Sequence, residues 1–153
     1  MMHGMTTDLV SELLRAKAKD ALARLETITP DELLAPATVT SRDDAMLVKA
    51  ALYLKHGALD ACHKIAQQVE STNGSYWHAI LHRKEGDFDN AKYWYRRAGQ
   101  GHPVIAKMGA DWDPIAFVDT CAMDAGAESA QLAQQEFALL LTHTIRCATG
   151  APT

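Results

Sequence analysis

Cysteine is scarce and scattered. The chain has three, Cys62, Cys121 and Cys147, with no C-x-x-C pairing. That fits reduced thiols in a cytosol-like compartment better than a disulfide framework or a zinc knuckle. Long apolar runs are missing too. Even Phe137–Leu141 is followed by Thr142-His143, far short of the roughly 18 residues a membrane span requires. The start, Met1-Met2-His3-Gly4-Met5, lacks a basic segment leading into an apolar one, so no secretory signal is expected. The expected location is the cytoplasm. Positive charge is not in excess: the formal charge is −4 and the pI about 5.9, which argues against coating nucleic acid through bulk charge. There is no G-x-S-x-G elbow, no P-loop and no glycine-rich dinucleotide turn.

What is present reads as helix. A chain of 153 residues with 48% hydrophobic and 22% charged residues fits one globular domain over 1–153, large enough to bury about 68–70% of its unfolded surface. Residues 7–26 place Leu9, Val10, Leu13, Leu14, Ala21, Leu22 and Leu25 on one stripe, with Thr7 as N-cap. Pro30 and Pro36 confine Thr27–Val39 to a loop with at most one helical turn. Ser41 with Asp43 and Asp44 opens a helix that Gly57 stops. A second helix is predicted over Leu59–Glu70, then a turn at Ser71–Gly74 and a third helix from Ser75 to Glu85. A fourth, capped by Asp87, runs to Ala98. Val104–Gly109 allows one turn. Asp113-Pro114 starts a helix to Met123, and Ser129–Cys147 forms the last.

Two tight turns, Gly57-Ala58-Leu59-Asp60 and Gly86-Asp87-Phe88-Asp89, each sit between helices and lie 29 residues apart. A fixed-period helix–turn–helix is the signature of a stacked helical array. Gly86-Asp87-Phe88, Ala91, Tyr95, Ala98 and Pro103 make the second unit resemble the tetratricopeptide repeat; the first unit fits more loosely through Ala50, Tyr53, Cys62 and Ala66. The resemblance covers about residues 42–103. It departs from the family's 34-residue period, and His78 and His82 stand where the family has a leucine and a tyrosine. The string from Tyr76 to Pro103 is also similar to uncharacterised bacterial proteins with no assigned activity. The resemblance implies an all-α fold of antiparallel helix pairs stacked as a short array, with 7–26 and 113–148 as capping helices. In that family the first helix of each pair lines a concave groove that holds peptides, often by clamping acidic groups with Lys and Arg.

Two chemistries follow. His78, His82 and Glu85 share one side of the third helix at i, i+4 and i+7, opposite Trp77, Ile80 and Leu81. If neighbouring helices run antiparallel, His63 lies opposite them. Three imidazoles and a carboxylate can hold zinc or another divalent transition ion. The same groups more commonly form a polar seam bonded to backbone carbonyls, Glu85 or Asp60, which needs no ion. A metalloprotease is excluded, because Ala79 stands where its glutamate belongs. Cys62 and His63 are adjacent on a helix and do not face each other, so they form no nucleophile pair.

Six of the ten aromatic residues lie between positions 76 and 95, among Arg83, Lys84, Lys92, Arg96 and Arg97. Phe88, Trp94 and Tyr95 keep core spacing. Tyr76, Arg83 and Lys84, with Lys49 or Tyr53 from the preceding pair, are the expected rim of the groove. The expected function is therefore a non-enzymatic module that binds a protein or peptide. The alternative is a helical metalloprotein, sensor or enzyme, using His63, His78, His82 and Glu85. Nucleic acid, which would stack on exposed aromatics beside Arg and Lys, is disfavoured by the overall acidity.

Overall fold

The computed structural model describes residues 8–124 and 126–152; Thr7, the expected N-cap, lies outside them. Among the described residues the chain is all-helical, with no strand. Its helices are α1 (Asp8–Arg15), α2 (Ala18–Leu25), α3 (Pro30–Leu34), α4 (Arg42–Lys55), α5 (Leu59–Ala66), α6 (Thr72–Lys84), α7 (Phe88–Ala98), α8 (Pro103–Met108), α9 (Pro114–Met123) and α10 (Ala127–Thr149). None of them is long and apolar enough to cross a membrane.

Local chemistry explains most boundaries. Ser41 accepts a hydrogen bond from the Asp44 amide at the head of α4, and Asp113 does the same for Ile115, with Pro114 at the first helical position of α9. Thr29 and Glu32 form a reciprocal capping box on α3, satisfying two otherwise orphaned amides. Gly57 and Gly86 close α4 and α6 with φ of 81° and 84°, a conformation nearly reserved for glycine.

Two expectations are corrected. The first helix is in fact two: Lys17 is extended (φ −63°, ψ 145°) and opens α2, so the stripe is split while Val10, Leu13, Ala21 and Leu25 all remain buried. Ser71–Gly74 is not a turn. Ser71 is the N-cap of α6, its hydroxyl accepting from the Gly74 amide at 3.0 Å, and α5 ends earlier, at Ala66.

α6 packs most extensively on α7, and α4 on α5, while α10 lies along α4 and reaches α8. The end of α10 is tied to the start of α4. The Ala148 carbonyl, unpaired at a helix C-terminus, accepts from the Thr40 and Ser41 amides at 2.8 and 3.1 Å. Ala50, Ala66, Ala91 and Ala98 are all buried, letting neighbouring helix backbones approach.

Candidate functional site

Every residue of α6 from Asn73 to Arg83 is buried. The sequence pattern predicts a single buried stripe, Trp77, Ile80 and Leu81, yet neighbours cover the polar side of this helix as well. A helix enclosed all round must find partners for its polar groups inside the protein. Trp77 Nε1 donates to Thr144 Oγ1 at 3.0 Å. The Asn73 amide nitrogen donates to Asp44 at 3.0 Å, and its oxygen lies 2.7 Å from His102 Nε2. His102 Nδ1 accepts from the Val104 amide, so Nε2 carries the proton given to Asn73.

One enclosed face of α6 carries the histidines. The ring centroids of His63 and His78 are 5.1 Å apart, those of His63 and His82 5.7 Å, and those of His78 and His82 5.6 Å. One nitrogen from each lies within 4.8 Å of the others. Three such points share a centre within about 2.8 Å, against about 2.0–2.1 Å for a Zn–N bond; the His78 and His82 rings lie within 2° of parallel, so closing on an ion requires these rings to tilt toward one centre. His63 reaches it from α5 as expected, because His78 and His82, one turn apart, present a vertical pair to the neighbouring helix. Trp94 of α7 stacks on His78, with centroids 4.0 Å apart and planes 11° from parallel. Burial first, then the neighbouring His63 and His82, depress the His78 pKa to about 4. This ring is therefore held neutral, the form that ligates metal.

Glu85 has a different place from the one expected. It lies outside the three-histidine group, its Oε1 2.5 Å from His82 Nδ1, and belongs with His82 and Asp87 to a second cluster whose ligand atoms fall within 4.8 Å of one another. A carboxylate on one ring nitrogen fixes the tautomer and leaves Nε2 with its lone pair free for an ion. His102 does not join the set either. Its ring lies 4.9 Å from Tyr76 and 5.0 Å from His143.

The expected groove rim does not assemble. Tyr76 is fully buried, and its hydroxyl donates to Glu136 Oε2 at 2.8 Å. Arg83 is buried as well, with Nη1 2.7 Å from Glu136 Oε1 and 2.5 Å from the Tyr95 hydroxyl, which itself donates to Glu136 Oε2 at 2.8 Å. Its guanidinium also covers the Phe117 ring at 4.8 Å. Burial opposes the charge on Arg83, but Tyr95 and Glu136 outweigh it and raise the pKa. Lys49 donates to the Ile28 carbonyl at 2.9 Å, and Tyr53 is half-buried against the core. Of the five, Lys84 alone is exposed. Of the six clustered aromatics only Tyr93 is exposed, with the Arg97 guanidinium 5.8 Å from its ring centre.

Glu136 is the residue that sequence reading missed. Its signal was present: it sits four residues from both Leu132 and Leu140, an apolar position of α10 occupied by a charge. Its partners Tyr76, Arg83 and Tyr95 stand 60, 53 and 41 residues away, which no local pattern reveals. No family model, curated protein or solved structure matches the chain.

Proposed function

We propose that this protein is a helical metal-binding protein that takes a zinc-class divalent ion on His63, His78 and His82. The observation that supports it is the convergence of three imidazoles from two helices within 4.8 Å. Three protein nitrogens plus one open position is the donor set of zinc sites that keep a water or an exogenous ligand. Glu85 would orient His82 from outside, and Trp94 would hold the plane of His78. The buried alanines and the α4–α5 and α6–α7 pairings support reading residues 42–103 as a tetratricopeptide-like array, here with its inner seam given over to imidazoles. A peptide-binding role through Tyr76 and Arg83 lacks that support, since both side chains are committed internally to Glu136.

The test is calorimetric titration of zinc into the chelator-treated full chain. Binding tighter than about 100 µM is expected, weakened at least tenfold by His63→Ala and by His82→Ala, and about 10–100-fold by Glu85→Gln. His63 is only half-buried, so its variant leaves the fold intact. No binding below about 100 µM, or equal affinity in the histidine variants, removes the proposal.

A further inference from the structure

A second feature, a cavity, lies away from the histidines, on the opposite side of α6. It has a volume of about 560 Å³ between α6, α10, the end of α4 and α1, within the range of small-molecule sites, about 300–1,000 Å³. The cavity exists for a packing reason. Tyr76, Trp77 and Arg83 hold α10 at the length of long side chains, through Glu136 and Thr144. The α10 residues facing the gap include Ala130, Ala133 and Ala138, too small to fill it.

Its chemistry is lopsided. Leu14, Ile80 and Phe137 supply apolar wall, and Lys55 and Lys84 are on its lining with no carboxylate among them. Arg83 contributes to the wall, but its charge is spent on Glu136. Neither lysine makes an ion pair within 4.0 Å among the described residues. The proximity of Lys55 and Arg83, after burial, lowers the Lys84 pKa. Uncompensated positive charge at the edge of an apolar cavity complements a ligand with an anionic head and an apolar body.

We infer that this cavity is a binding site for a small amphipathic anion, with Lys55 and Lys84 receiving the anionic head and Leu14, Ile80 and Phe137 enclosing the apolar body. This site is independent of the metal reading. Decanoate, used below its micellar concentration, tests it by calorimetry on the full chain, with decanol and decyltrimethylammonium as comparisons. Decanoate is expected to bind at least tenfold more tightly than either. Lys55→Gln/Lys84→Gln should erase that preference, and Ala133→Trp, which fills the cavity, should abolish binding; circular dichroism confirms that each variant folds. Both lysines are exposed, so loss of folding in that variant is not expected. Equal binding of the three amphiphiles, unchanged affinity in the lysine variant, or no binding of decanoate overturns the assignment. A dimer in sedimentation that Ala133→Glu dissociates would also overturn it, by placing a second copy on that face.

Discussion

Replacing Glu136 with alanine tests the centre of the fold directly. The side chain is fully buried and serves three groups at once: Arg83 at 2.7 Å, Tyr76 at 2.8 Å and Tyr95 at 2.8 Å. Truncation leaves a guanidinium enclosed without a counter-charge, which costs about 3–5 kcal/mol where one partner of a buried pair is removed. The Tyr76 hydroxyl loses its acceptor in addition, but members of one network are not additive, so about 4 kcal/mol is the working figure. At roughly 2–4 °C per kcal/mol for a chain of this size, the melting temperature should fall by roughly 8–16 °C. Urea unfolding followed by circular dichroism measures the same loss. Glu136→Gln, which keeps an acceptor for the tyrosines, should lose less. The double variant Arg83→Met/Glu136→Leu should be more stable than the two single losses together imply, because no isolated charge remains. A loss under about 1 kcal/mol for Glu136→Ala would mean that water reaches the guanidinium, and the enclosed α6 described above would be wrong.

Two further outcomes check other parts of the structure. His102 is buried, with its pKa pushed down to about 4 first by burial and then by His143. The unfolded chain therefore takes up a proton near pH 6.5 that the folded chain refuses until about pH 4. Stability is full above pH 6.5 and falls as the pH drops through that window, by about 1 kcal/mol at pH 5.5 and up to about 3 kcal/mol at its foot. The urea midpoint of metal-free protein should decline from pH 7 to 4.5, less steeply in His102→Gln; a flat midpoint refutes the burial of this ring. Gly74→Ala in α6 should destabilise, against the usual gain of about 0.5–1 kcal/mol in a helix, because a Cβ there meets the Val69 carbonyl oxygen at 2.2 Å. Gly101, where an added Cβ meets nothing within 4 Å, should accept alanine with little change, and equal melting temperatures for the two variants would contradict the close approach.

Much of the helical order was legible because its signals are local. Ser41, Asp87 and Asp113-Pro114 mark helix starts through hydrogen bonds to amides two or three residues on, and Gly57 and Gly86 mark stops through φ. The histidine set was legible for a related reason: one-turn spacing on α6 fixes two members, and a short connection to α5 brings the third alongside. The break at Lys17 was not legible, since no proline or glycine announces it. Tyr76 and Arg83 were misplaced for the opposite reason. A tyrosine and an arginine near the end of a helix read as surface groups, and only the charge of Glu136, brought in by the last helix, lets both be enclosed.

These two features of α6 bear on each other. Metal sites require first ligands held by rigid neighbours, because misplacement by about 1 Å forfeits the geometry. His78 lies two residues after Tyr76, and His82 lies one before Arg83, so the bonds to Glu136 hold the same stretch of backbone from which the imidazoles project. Trp77, between Tyr76 and His78, is held by Thr144 at 3.0 Å. α10 thus fixes the outer face of the helix, while α5 and α7 supply His63 and Trp94 on the inner one. An apolar core alone would have left the rotation of α6 to side-chain packing, whereas directional bonds from Tyr76, Trp77 and Arg83 select one rotation. On this view the buried polar network and the imidazole cluster belong to one design, in which the one buried carboxylate of α10, Glu136, holds the stretch of α6 from which two histidines 54 and 58 residues earlier project.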